Sequence, residues 1–308
     1  MRPGPRVRKA GQGARGCGRH RVLVSGRSLQ TLCAQRGSLR PYGMLPRLFA
    51  ALGLAGLAAC SQATAGEDRS DVAVLFIGNS LTSVNDLPAV VAKVAEAARD
   101  SVRVGMAAGP NLAVIDHTNG STDAVAQIDG GEWNFVVLQQ GPTPAGVCRD
   151  TLVIAAMRLA PHVGAAGGRV ALFLPWARQG SPAGLAAAGE SATLAARAVG
   201  GVVVPVGVAW KLALDADPTL PLYGPDGYHP APAGTLLAAL TIYERLAGRD
   251  VRDLSPASLA SLSSPPLGPG VLQLLGASAH AAVESLPPDP PAPSPPDTSR
   301  VSPGGGPC

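Results

Sequence analysis

Apolar residues recur along this chain in short runs of strand length, separated by stretches in which Ala, Val and Leu return at helical spacing. The runs are Val72–Ile77, Val102–Met106, Phe135–Gln139, Arg169–Leu174 and Val202–Val206. The intervening pattern predicts helices over Leu87–Arg99, Thr151–Leu159, Ala183–Val199 and Val208–Leu214, then Ala233–Leu246, with a shorter one at Val271–Glu284 covering an edge. Strands alternating with helices imply an α/β domain around a five-stranded, mostly parallel sheet. Ligands of such sheets bind beyond the carboxyl ends of the strands, so the residues that follow each run are where chemistry is expected.

Charge and composition then divide the 308 residues into unequal parts. The formal net charge is +4, which would suit a nucleic-acid partner. Ten of the 25 basic residues, however, lie in 1–43, and no acidic residue occurs before Glu67; from Met44 onward 15 basic residues face 21 acidic ones. Residues 1–43 are Arg- and Gly-rich without apolar period or interleaved aromatics, and read as a mis-assigned upstream extension or a disordered basic arm. Nucleic acid is therefore not an expected partner. Residues 44–59 place Arg47 before an apolar run from Leu48 to Ala59, too short to span a bilayer and shaped like an export signal. Leu57-Ala58-Ala59-Cys60 resembles a bacterial lipobox, which implies lipidation of Cys60 and anchoring to a membrane of the cell envelope.

Residues 60–70 form a polar tether, and 71–285 the folded unit. From 286 to 308 nine prolines and Gly304-Gly305-Gly306 predict an extended, solvated tail. Past residue 59 three cysteines remain, Cys60, Cys148 and Cys308, which excludes a disulfide scaffold. Cys148 reads as a small packing residue, and no CxxC or HxxxH supports a metal site.

Two segments carry candidate chemistry. Gly78-Asn79-Ser80-Leu81 follows the first strand immediately, so Ser80 stands at a strand end after a glycine that permits a tight turn. Tyr223-Gly-Pro-Asp226-Gly-Tyr228-His229-Pro230 precedes the last core helix; a carboxylate three residues before a histidine can orient the imidazole while its other nitrogen faces a nucleophile. An early strand-end serine with a late Asp-x-x-His resembles the SGNH, or GDSL-like, hydrolase superfamily, over Val74 to about Ala239.

The resemblance implies a three-layer α/β/α, flavodoxin-like fold, with Ser80 as nucleophile, His229 as base and Asp226 as its orienting carboxylate. It further implies an oxyanion hole from the backbone N–H groups of Ser80 and Gly109 and a side-chain amide. The family's usual Asn in the third block is here replaced by Gln139-Gln140; Gln139 closes the strand and is the expected donor. His117 and Trp176 are candidate substrate contacts. The expected activity is ester cleavage through an acyl-serine, on a small ester or an acylated glycan, without metal or organic cofactor and as a monomer. A non-catalytic carbohydrate- or lipid-binding lipoprotein and an envelope polysaccharide O-acyltransferase are the alternative expectations.

Overall fold

The computed structural model describes residues 71–141 and 146–286. The readings made for the basic arm, the signal, Cys60 and the proline-rich tail lie outside the described residues. Five strands form one sheet: β1 Asp71–Gly78, β2 Ser101–Ala108, β3 Phe135–Gln139, β4 Arg169–Phe173 and β5 Val202–Val204. Their order is β2-β1-β3-β4-β5 and every neighbouring pair is parallel, with Val74 opposite Phe135 and Gly78 opposite Ala108. The chain therefore reverses its direction of travel across the sheet between β1 and β3, the switch point outside which ligands of doubly wound sheets bind.

The helices are α1 Ser80–Ser83, α2 Leu87–Ala97, α3 Val114–Thr118, α4 Ala124–Asp129, α5 Gly146–Ala165, α6 Ala183–Val199, α7 Val206–Ala216, α8 Pro232–Ala247, α9 Pro256–Leu259 and α10 Pro269–Glu284. They cover both faces of the sheet. Because side chains alternate along a strand, Val74 and Phe76 of β1 enter a core with Val91 of α2, Trp210 of α7, Leu236 of α8 and Leu275 of α10. Ala73, Leu75 and Ile77 enter the opposite core with Val114, Ile128, Leu159 and Ala195 of α3 to α6. Leu75, Phe76 and Ile77 are fully buried, each contributing roughly 1.5–3 kcal/mol by leaving water. The three-layer α/β/α architecture expected from the sequence is the one observed.

Local differences have local causes. The strand expected to reach Val206 stops at Val204, because Pro205 has no N–H for a ladder, and α7 starts at Val206 instead of Val208. Helix α5 continues through Pro161 to Ala165, past the boundary drawn at Leu159. Helices α3 and α4 have five and six residues, too few for a helical period to register. Cys148 is buried, as a packing residue should be, and is in addition disulfide-bonded. Among the described residues no helix is long and apolar enough to cross a membrane.

Candidate active site

The serine turn grows out of the end of β1. Asn79 caps α1, its Oδ1 accepting the Leu81 N–H at 3.1 Å, so Ser80 is the first residue of that helix and its backbone N–H has no intrahelical acceptor. Glycine is required at 78: a Cβ there would lie 2.5 Å from Thr82 Oγ1 and 2.6 Å from Gln139 Oε1. The turn is tied to β3 by Gln139, whose Oε1 accepts the Asn79 N–H at 3.0 Å and the Thr82 hydroxyl at 2.8 Å. Asn79 Nδ2 donates to Leu112 O at 3.2 Å, which adds the loop after β2.

The second half comes from the loop before α8. A bridge between Tyr223 and Pro230 and the Gly224 N–H to His229 O bond of 2.8 Å close the loop on itself. Inside it, Asp226 Oδ1 accepts the N–H groups of Tyr228 at 3.0 Å and His229 at 2.9 Å, while Oδ2 lies 2.5 Å from His229 Nδ1. The His229 hydrogen bond, followed by the two backbone N–H groups, holds the Asp226 carboxyl down at about 2. A carboxylate on Nδ1 keeps the proton there and leaves the Nε2 lone pair outward. Ser80 Oγ lies 2.9 Å from Nε2, within reach for donating its hydroxyl proton.

The structure thus brings Ser80, His229 and Asp226 into one hydrogen-bonded chain beyond the carboxyl end of β1. Gln139 also reaches the serine turn. Both oxygen contacts of its amide are fixed, which orients the group, and Nε2 is buried without a partner among the described residues. Gln140 turns the other way, its Nε2 donating to Cys148 O at 2.7 Å on α5.

Three further residues expected at the site have other partners in the fold. The Gly109 N–H is not available to an oxyanion, because it continues the β1–β2 ladder and donates to Gly78 O at 3.3 Å. His117 is fully buried with both ring nitrogens engaged, so it has no free group to offer a substrate. Its Nε2 lies 3.0 Å from the same Gly78 carbonyl and its Nδ1 2.7 Å from Thr122 Oγ1, so both nitrogens are engaged. Burial pushes its pKa down, against smaller opposing effects of the Gly78 bond and Asp116. His117 is a neutral structural strut beneath the turn. Trp176 is 1% exposed, stacks on Trp210 with ring centroids 4.0 Å apart and donates Nε1–H to Tyr228 O at 2.9 Å. It supports the histidine loop from behind and lines a cavity of about 580 Å³ with Leu185, Trp210 and Tyr223, whose walls include neither Ser80 nor His229.

Among the described residues one group could offer three ligand atoms to a cation: Glu244, Asp250 and His280, within 4.8 Å of one another. These atoms already satisfy each other and their neighbours. His280 Nδ1 meets Glu244 Oε1 at 2.7 Å, Glu244 Oε2 accepts the Val251 N–H, and Arg252 grips both oxygens of Asp250. The cluster is a clasp between α8 and α10.

No protein-family profile and no curated protein matches this sequence. Solved structures do. A DUF4886 family protein from Bacteroides uniformis superposes with a TM-score of 0.56 at 18% identity, covering 70% of this chain and 96% of its own. A protein provisionally assigned as an SGNH hydrolase from Slackia heliotrinireducens gives 0.48 at 24% identity, covering 57% and 98%. A psychrotrophic esterase from a Pseudoalteromonas species gives 0.42 at 15%, covering 56% and 96%. At these identities the likeness speaks to architecture alone: the chain has a three-layer α/β/α fold around a five-stranded parallel sheet, similar to that of the Bacteroides uniformis protein.

Proposed function

We propose that this protein is a serine hydrolase that cleaves carboxylic esters through an acyl-serine intermediate. The observation that carries the reading is the continuous chain Ser80 Oγ, His229 Nε2, His229 Nδ1, Asp226 Oδ2, with links of 2.9 and 2.5 Å. A serine hydroxyl is a weak nucleophile until a base takes its proton. Here Oγ attacks the ester carbonyl as its proton passes to Nε2, and Asp226 stabilises the imidazolium without accepting that proton. The Nε2 proton then goes to the departing alkoxide, leaving Ser80 acylated. Water repeats the sequence in the second half, losing a proton to Nε2, releasing the acid and restoring the hydroxyl. The Ser80 N–H and the Gln139 Nε2–H, which has no partner among the described residues, are the donors we assign to the oxyanion.

The ester is a small one or an O-acyl group on a glycan, since the site lies open beside half-exposed Asp226 and His229 side chains. The export signal and lipobox support anchoring of the enzyme to a membrane of the cell envelope through Cys60, and we take it to act as a monomer. Hydrolysis of p-nitrophenyl acetate by the protein and by Ser80→Ala tests the reaction. Loss of at least ~10³ in rate is expected from removing a triad member, and equal rates would refute it. Replacing Cys60 by Ser should abolish incorporation of labelled palmitate and release the protein from the membrane fraction.

A further inference from the structure

Between α1 and α2 the backbone does something costly. Asn85 (φ 58°, ψ 16°) and Asp86 (φ 52°, ψ 58°) are consecutive non-glycine residues in the left-handed region. Side chains other than glycine adopt it rarely, Asn and Asp most readily, and such strain persists where the surroundings over-determine it. For Asp86 the reason is local, because its carboxylate caps α2 at the Ala89 N–H. For Asn85 it is not local. Its Nδ2 donates to Pro230 O and to Thr235 Oγ1, each at 2.9 Å, across 145 and 150 residues of sequence.

Both acceptors belong to the histidine half of the site. Pro230 is the residue after His229, and Thr235 lies in the first turn of α8. An amide nitrogen has two protons, and this one spends both on fixing that loop. His229 needs such a constraint. It sits on a turn-rich loop rather than a helix or strand, its side chain is about one-third exposed, and the Asp226 bonds that orient it come from the same loop. Those bonds set the ring relative to the loop but leave the loop free to move relative to Ser80. Asn85 is five residues from Ser80 along a short helical segment, so its bridge spans the serine and histidine halves directly.

We propose that Asn85 is a positioning residue for the reaction inferred above, on which this inference rests: its amide holds the carbonyl of Pro230, the residue after His229, so that Nε2 stays within proton-transfer distance of Ser80 Oγ. It touches neither substrate nor the reacting atoms. Misplacement of a reacting pair by about 1 Å can cost ~10² in rate, and that sets the scale of the effect.

Asn85→Gly separates this role from a merely structural one, because glycine accepts the left-handed backbone without strain while removing the donor. The expected result is a kcat for p-nitrophenyl acetate lowered by ~10- to 100-fold, with KM and Tm close to those of the parent. Phosphonylation of Ser80 by a p-nitrophenyl phosphonate, which reports the Ser80–His229 pair without any later step, should slow by the same factor. Thr235→Val should show a smaller loss in both rates, and Thr235→Ser, which retains the hydroxyl, should restore them. Parental kcat and phosphonylation rate in Asn85→Gly overturn the inference, as does a fall in Tm alone. If those rates are parental while Ser80→Ala is inert, the hydrolase reading stands and only the role of Asn85 falls. If Ser80→Ala retains full activity and the phosphonate fails to label Ser80, the hydrolase reading falls, and the role of Asn85 with it.

Discussion

Asp226 meets three donors with two oxygens, and this accounts for its behaviour with pH. A carboxyl held at about 2 in the folded protein and near its ordinary 3.8 when unfolded adds stability that is fully present above the unfolded value and is lost as pH falls through the folded one. Urea midpoints measured from pH 5 to 2 should therefore fall more steeply for the parent than for Asp226→Asn between about pH 4 and 2. Gln139 poses the opposite case, a buried donor with nothing to bind. Gln139→Glu keeps an oxygen for Asn79 and Thr82 but removes the donor, and kcat should drop by ~10²–10³, the usual loss for one oxyanion contact. At this scale Ser80, Asp226 and His229 were legible as candidates, because Gly78-Asn79-Ser80-Leu81 and Asp226-x-x-His229 together resemble one hydrolase superfamily, and the structure joins the three in one hydrogen-bonded chain. Gly109 and His117 were not: their partner is the Gly78 carbonyl of another strand, and nothing local to either residue announces it. Asn85 was missed for the same reason, its acceptors lying well over a hundred positions away.

At the level of elements, the site depends on where strands stop and helices begin. Gly78 ends β1 where any side chain would strike Thr82 and Gln139, so Gly78→Ala should overpack the turn by ~1–3 kcal/mol and lower activity together with Tm in a thermal melt. Strand and helix cores were readable from continuous apolar runs and Ala-rich periodicity. Their ends were less so, because ends are decided by competition. Pro205 truncates β5 as its missing N–H dictates, yet Pro161 fails to end α5. Packing across α5 outweighs the local penalty: Leu159 before the proline and Val163 after it are both buried in one core.

Across the whole molecule, the order β2-β1-β3-β4-β5 gathers Ser80, Gln139 and the loop after β2 at the carboxyl end of the sheet, while α8 presents the histidine loop to them. The opposite end is held by different means. Asp100, just before β2, is buried and accepts the Tyr243 hydroxyl at 2.6 Å and Arg249 Nε at 3.2 Å. Burial and that carboxylate push the Tyr243 hydroxyl pKa up, so it remains a donor. Tyr243→Phe should cost ~1.5–3 kcal/mol, as expected for a hydrogen bond to a charged group, and lower the urea midpoint while leaving p-nitrophenyl acetate turnover unchanged. The sequence by itself determined the alternation of strands and helices and the strand count, because apolar runs and helical periodicity are written in neighbouring residues, whereas the three layers and the roles expected of Ser80, His229 and Asp226 rested on a family resemblance. Only the tertiary structure decided which N–H groups remain for an oxyanion, that His117 is a strut and Trp176 a support, and that Asn85 ties the two halves together. Those depend on which donors and acceptors distant strands and loops bring within 3 Å, and hydrogen bonding saturates: a group already spent on one partner is not available for chemistry.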